Sequence, residues 1–591
     1  MTDQKKFSKA TPWALFVCAV LLVSIYIAAA PSLAALASVQ DYIARERLYV
    51  VANRWQMLLL FPAAVFAAFA CALWDPQARV ARAVLSRWRS IGRRTRHGLI
   101  VIVFFIECAA FCLLIAEQTP RVFDGFNYYF QAMNFSHGQA AAPIPPAAKH
   151  FDFPFVMMYN GRWFGSSYPG WPALLALGLI LGVPWLVNPL LAAAALALTI
   201  RWTRTEHGEE TADLVGLLGV LSPFYIAVGG IFLSHPAALL TSLLSVYAFH
   251  TCAKHGGRWR WSVLSAAAMA MGLIIRPQSQ LCVSLPFACW GLLLLIRGRL
   301  RWRVLLPFAA AIILSAGLLC WYNAATTGDP WDNPRYRVSP ERRLGFGPDI
   351  GGGSPWDSGR GHTVIKGLRN TALNLSMLNS DMFGWGGGFF LGPVLLGMIL
   401  PVILRRVKLL EILLLGSFAA TVALYIAYFT PSPNFGPRYY YETIPAVLIL
   451  TASGLGQLAR NANGSENAQR KAAVFFLLVF LTAGSLSTAL PRHLLHYSAS
   501  LPPIVQRTAV SGLDEISNAV VLVAPPQFWA NVFLWNSPNL DESVIYALDV
   551  GPDSPREIRA AFPNRKIYRL VPGADRGRYQ LIPVIEGLHA Q

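Results

Sequence analysis

The stretch RHGLIVIVFFIECAAFCLLIAEQTPRVFDGFNYYF, Arg96 to Phe130, decides how the rest of the chain is read. Basic residues lead into an apolar run long enough to cross a bilayer as a helix, with Glu107 inside it. The run ends near Glu117 and opens into a loop that carries Asp124 among aromatic rings. The same alternation of apolar runs and short polar connections continues along the whole chain. Of the 591 residues, 55% are hydrophobic and 13% charged, where a soluble protein carries about a quarter charged. The composition predicts a polytopic membrane protein and excludes a soluble globular, disordered or collagen-like chain.

About thirteen apolar stretches qualify as spanning helices, centred near residues 25, 64, 107, 190, 220, 243, 269, 288, 313, 395, 420, 450 and 481. Between Pro169 and Ile200, Gly182 and Pro184 break the pattern into a short segment and a full-length one. Lys and Arg number 49 against 30 Asp and Glu, a net charge of +19. Of those 49, 25 fall in short loops on one side, 15 in the alternate loops and 9 in the C-terminal tail. That bias predicts a cytoplasmic N-terminus, so the positive charge reports topology rather than nucleic-acid binding, and no nucleic-acid partner is expected. Ala28-Ala29-Ala30 after the first run could end a signal peptide, but Pro31 argues that the run is kept as an anchor. The eight cysteines lie in apolar stretches and read as small fillers.

The predicted fold is an all-α polytopic membrane protein with a small C-terminal extracytoplasmic α/β domain. Residues 1–97 form a two-helix extension with a basic cytoplasmic loop. Residues 98–490 form the membrane core, with outer loops 118–168 and 323–385, and residues 491–591 form the tail. Strands are expected over Asn518 to Ala524, Val544 to Leu548 and Lys566 to Val571, and a helix over Ser554 to Ala561. Leu368 to Leu378 is amphipathic enough to lie along the membrane surface, while Gly351-Gly352-Gly353 and Gly386-Gly387-Gly388 mark turns.

Chemistry is expected on the outer side, where most acidic residues fall. Burial among rings raises the pKa of Asp124 and suits it to accept a proton; equally, Asp124 could cap an interfacial helix. Asp152, in His150-Phe151-Asp152, is the second acid of that loop, which leaves through Tyr168-Pro169-Gly170. Its mixture of rings and polar groups fits a sugar-binding lip or a plain interfacial loop. His235 and Arg276 stand at helix ends on the same side, with Arg438 and Tyr439 in Gly436-Pro437-Arg438-Tyr439-Tyr440-Tyr441-Glu442. Two guanidiniums there either snorkel or grip a phosphate bidentately. The segments Asn323 to Tyr336 and Arg342 to Gly347 belong to a loop too long to be passive.

The order and common side of these motifs resemble the GT-C superfamily of polytopic glycosyltransferases, in particular family 39, which includes protein O-mannosyltransferases and lipid A aminoarabinose transferases. The resemblance rests on Asp124 with Tyr128, Tyr168-Pro169-Gly170, Leu221-Ser222-Pro223, Ser234-His235, Arg276-Pro277, Thr327-Gly328-Asp329-Pro330 and Gly436-Pro437-Arg438-Tyr439, across roughly residues 98 to 460. It implies transfer of a sugar from a polyprenyl-phosphate donor to an acceptor hydroxyl on an envelope glycan, lipid or protein, at the outer face of the cytoplasmic (inner) membrane. It implies Asp124 as base, with Asp152 as substitute, Arg276 and Arg438 on the lipid phosphate, and Tyr168 and His235 around the sugar. Many members carry two adjacent acids where Asp124 is followed by Gly125, and two extra helices precede the core here. No cofactor is expected, and a divalent metal is left open. The rival reading is a transporter or flippase of lipid-linked sugars, which would place polar residues inside several helices; a third is an envelope scaffold.

Overall fold

Apolar runs of bilayer length have to become helices, because lipid offers no partner for an unpaired backbone group. A computed structural model describes residues 10–39, 42–338, 340–351, 361–431, 435–461, 465–499, 504–525, 529–573, 575 and 577–584. Lys5, Lys6, Lys9, Arg360 and Arg576, among the charges counted above, and the turn glycines Gly352 and Gly353 lie outside the described residues. Among those described, nine helices are long and apolar enough to cross a membrane, or ten if Glu209–Val220 and Pro223–Gly229 form one span bent by 65°. The chain is a multi-pass membrane protein.

The bend has a local cause. Pro223 brings no N–H to the first turn of the second helix, and Ser222 Oγ accepts from the Tyr225 N–H at 3.2 Å, so the helix is capped and restarted rather than continued. The expected crossings near 269, 395 and 450 fall on helices of 17, 11 and 15 residues, short of the roughly 20 a full span needs. The expected break between Pro169 and Ile200 is present. An 11-residue helix, Gly170–Ile180, turns at Gly182 (φ 72°) and gives way to Val187–His207.

At the basic end of the bundle the Arg79–Ser90 helix carries Arg79, Arg82, Arg87 and Arg89 and no acid. Arg89 pairs with Glu210, and Arg93 with Glu209 at 3.1 Å, which ties this segment to the Glu209–Val220 helix. The Ala10–Ala29 and Phe61–Trp74 helices meet through Ala19, Ala63 and Ala67, small residues that let helices approach closely in lipid.

The opposite end carries the long loops. Helix Phe123–Ser136 leads into an antiparallel sheet of β1 (Ala142–Pro143), β2 (Val156–Tyr159) and β3 (Arg162–Gly165), in the order β1-β3-β2. The hairpin tip reaches the other long loop: Asn160 Nδ2 donates to the Thr327 carbonyl at 3.0 Å, and Arg162 Nη1 to that of Ala324 at 2.7 Å. Leu368 to Leu378 lies within helix Val364–Asp381, whose Ile365 and Leu368 face outward while Thr371 and Asn374 are buried.

The tail forms a five-stranded sheet of β4 (Val510–Ser511), β5 (Ala519–Val523), β6 (Val544–Leu548), β7 (Lys566–Pro572) and β8 (Tyr579–Pro583), ordered β4-β8-β7-β5-β6. The continuous apolar run AVVLV suits β5, which is paired in parallel on both edges and buried along its length. Helix Ser554–Ala561 crosses from β6 to β7, as the sequence predicts. Its core is continuous with that of the first loop. Phe126, Phe130, Phe151, Phe153 and Trp163 pack with Val520, Phe533 and Ile545, and Phe153 stacks on Phe533 with ring centroids 4.6 Å apart. At the margin, His150 Nε2 lies 2.8 Å from Glu557 Oε2, and Lys149 pairs with the same carboxylate.

Candidate active site

Helix ends deliver the polar groups of the loop-bearing end to one place. Arg276 sits between helices Trp259–Ile275 and Pro277–Ile296. A residue before proline is driven out of the helical region, and Arg276 adopts φ −149°, ψ 82°, which turns its side chain off both helix axes. Gly170 makes the neighbouring approach possible, because a Cβ there would meet the Ile274 carbonyl oxygen at 2.8 Å. The loop exit at Tyr168 is thereby pressed against the helix end that presents Arg276. Gly436, at φ 74°, serves the next segment, where a Cβ would meet Asp381 Oδ2 at 2.9 Å. Arg438 to Thr443 follow as a tight 3₁₀ turn.

These segments enclose a cavity of about 350 Å³ lined by Asp124, Tyr128, Tyr168, His235, Arg276, Arg438 and Tyr439 together with Arg335, Tyr336, Arg342, Tyr425 and Tyr428. Seven of the eight residues singled out from sequence therefore converge. Asp152 does not. It is exposed at the end of the short turn Ala148–Phe151 that leans on the tail, outside the lining.

Asp124 lies in the first turn of helix Phe123–Ser136, where the helix dipole favours negative charge. Its Oδ2 accepts from Arg438 Nη2 at 3.0 Å, and 37% of its side chain stays open. Burial alone would raise its pKa, but Arg438, Arg335, Arg342 and Arg276 outweigh that and hold the carboxyl below its ordinary range. This corrects the raised value expected from the aromatic surroundings: the guanidiniums come from segments far away in sequence. Tyr168 behaves as expected of a buried phenol. Burial first, then Tyr336, pushes it up to about 12, so it is a neutral hydrogen-bonding group at physiological pH.

A second acid, Glu442, stands behind the cavity wall. Its Oε1 is 3.1 Å from Arg276 Nε and 3.1 Å from His235 Nδ1. Arg276 also donates from Nη2 to Tyr425 OH at 3.1 Å and from Nη1 to Ser234 Oγ at 3.3 Å. Tyr425 stacks on Tyr439 with centroids 4.7 Å apart. Arg335 donates to Tyr428 OH at 3.4 Å, and Arg342 lies over the Phe155 ring at 4.3 Å. Glu442, Arg335 and Arg342 carried no role in the sequence reading, although all stand in segments it quoted. Four guanidiniums against two carboxylates leave a surplus of two positive charges around the cavity, the electrostatic complement of a bound phosphate. Among the described residues, no three His, Cys, Asp or Glu side chains converge as metal ligands do.

Comparison with known proteins finds likenesses to solved structures of two kinds. ArnT from Cupriavidus metallidurans, bound to undecaprenyl phosphate, is similar over 83% of this chain and 98% of its own, at 12% identity and a TM-score of 0.48. The Archaeoglobus fulgidus oligosaccharyltransferase in its apo form is similar over 80% of this chain and 69% of its own, at 13% identity and a TM-score of 0.42. The same organism's oligosaccharyltransferase AglB, in complex with an inhibitory peptide and a dolichol-phosphate, is similar over 80% of this chain and 69% of its own, at 12% identity and a TM-score of 0.42. Residues 519–583 match the family described as a domain of unknown function, DUF7846. No curated protein matches the sequence significantly.

Proposed function

We propose that the protein is a membrane glycosyltransferase that moves a sugar from a polyprenyl-phosphate-linked donor to a hydroxyl of an envelope glycan, lipid or protein. The cavity carries the reading: one carboxylate half-open to the lumen faces a surplus of guanidiniums in a space of about 350 Å³, within the usual size of small-molecule sites. In this reading the basic end of the bundle is cytoplasmic and the cavity opens at the outer face of the cytoplasmic membrane, an orientation that the charge bias of the loops supports.

In this mechanism the acceptor O–H gives its proton to Asp124, and its oxygen attacks the anomeric carbon as the bond from that carbon to the phosphate oxygen breaks. The electron pair leaves with the lipid phosphate, whose growing charge is stabilised by Arg438, Arg276 and Arg335. The pairing of Asp124 with Arg438 gives the order of events a physical basis. A donor phosphate shares the guanidiniums, weakens their hold on the carboxylate and raises its basicity only when the donor is in place. Glu442 keeps Arg276 in position without entering the cavity, and Tyr168, His235 and Tyr128 shape the sugar pocket.

The test is transfer of radiolabelled sugar from a panel of polyprenyl-phosphate sugars in proteoliposomes, comparing wild type with Asp124→Asn and Arg276→Ala. Loss of transfer in both, at equal protein level, supports the assignment. Loss in Asp152→Asn and not in Asp124→Asn moves the base to Asp152. No transfer with any donor, together with translocation of a labelled lipid-linked sugar, replaces the reading by a transporter.

A further inference from the structure

A second cavity, of about 640 Å³, lies at the basic end of the bundle and shares no lining residue with the first. It is bounded by the Arg79–Ser90 helix, the Glu209–Val220 helix, Ile444–Leu458 and Ala468–Gly484. Leu214, Leu217, Leu455, Val474 and Leu478 make its walls apolar. Arg89, Arg460 and Lys471 stand at its rim against Glu210 and Glu466. A groove with hydrocarbon walls and a charged mouth matches a lipid, with chains below and headgroup above.

The sign of the headgroup follows from the pairings. Lys471 Nζ lies 3.5 Å from Glu466 and 3.8 Å from Glu210, and Arg89 shares Glu210, so two carboxylates are divided between two cations. Arg460 is the third and is exposed. The deeper acid, Asp213, is engaged by Arg96 at 3.2 Å, His97 at 2.9 Å and Trp88 Nε1 at 3.1 Å, and so does not oppose an anion at the mouth. The helix that roofs the groove adds Arg79, Arg82 and Arg87, while its Val80 and Val84 stay exposed on the apolar side. Such a basic amphipathic helix lies in the plane of anionic headgroups.

We propose that this groove binds an anionic phospholipid of the cytoplasmic leaflet, its acyl chain along Leu217 and Leu478 and its phosphodiester at Arg460 and Lys471. The site is built where the N-terminal extension, through Val84, Leu85 and Trp88, meets the core.

The test is native mass spectrometry of the full chain reconstituted with equimolar phosphatidylglycerol and phosphatidylcholine. Wild type is expected to retain one phosphatidylglycerol in preference to phosphatidylcholine by at least fivefold. Gly456→Phe fills the groove from a position where an added Cβ meets nothing within 4 Å, and is expected to lose the retained lipid at unchanged melting temperature. Arg460→Ala combined with Lys471→Ala is expected to keep a lipid but lose the preference. Equal retention of both lipids by wild type, undiminished retention in Gly456→Phe, or cross-links showing the chain's own N-terminal segment in the groove would overturn the proposal. The wild-type competition decides even if a variant fails to accumulate.

Discussion

Arg438 and Asp124 are joined by a 3.0 Å charge-assisted hydrogen bond between residues 314 positions apart, one on a 3₁₀ turn and one in the first turn of a loop helix. The pair closes the cavity between the first loop and the segment before the Ile444–Leu458 helix, and it sets the charge of the proposed base.

That pair fixes a pH dependence. Because the carboxyl sits below its ordinary range, the interaction is intact above about pH 4 and is lost only as pH falls through the depressed folded value. The acid limb of kcat/KM is expected below about pH 4 in wild type and at higher pH in Arg438→Ala, where burial is less opposed. An unchanged acid limb in Arg438→Ala would separate Asp124 from the catalytic titration.

Asp124→Asn retains size and hydrogen bonding but accepts no proton. A fall in kcat of about 10²–10⁴ is expected, the usual contribution of a general base. Donor binding, measured as protection of the protein from thermal unfolding by a polyprenyl-phosphate sugar, should survive.

Glu442→Gln leaves Arg276 without its counter-charge in a buried place, since the Glu442 side chain is fully buried and Arg276 nearly so. A loss of about 1–3 kcal/mol of stability is expected, seen as a lower melting temperature. Donor KM should rise with it, because Arg276 is no longer held by Glu442.

The seam between tail and first loop separates apolar from polar contributions. Phe533→Ala should cost about 3–5 kcal/mol through the cavity left among Phe130, Phe153 and Trp163, whereas Lys149→Ala, at an exposed ion pair, should cost well under about 1 kcal/mol. Limited proteolysis of the tail reads the difference: early release in Phe533→Ala and a wild-type pattern in Lys149→Ala.

Convergence of seven named residues was legible because most of them mark a helix end, a tight turn or a loop exit in segments that the charge pattern assigns to one side. Partnership was not legible. Arg335 and Arg342 reach Asp124 through a loop whose path no periodicity describes, and the expectation for its pKa had the wrong sign for want of them. Asp152 and Asp124 look equivalent in sequence; contact between the Ala148–Phe151 turn and the tail is what places Asp152 outside the cavity. The tail's strands were readable from short apolar runs, but nothing in them showed that their core is shared with Phe126, Phe130, Phe151, Phe153 and Trp163 of the first loop.

That shared core carries a cost in time. His150 and Glu557 are 407 residues apart, so at about 5–20 residues per second a ribosome needs roughly 20–80 s to supply the second after the first. Throughout that interval Phe126, Phe130, Phe153 and Trp163 stand without their cover. The first loop can be completed only by a stretch synthesised 407 residues later, and a nascent chain interrupted before it would hold a finished bundle with an unfinished mouth.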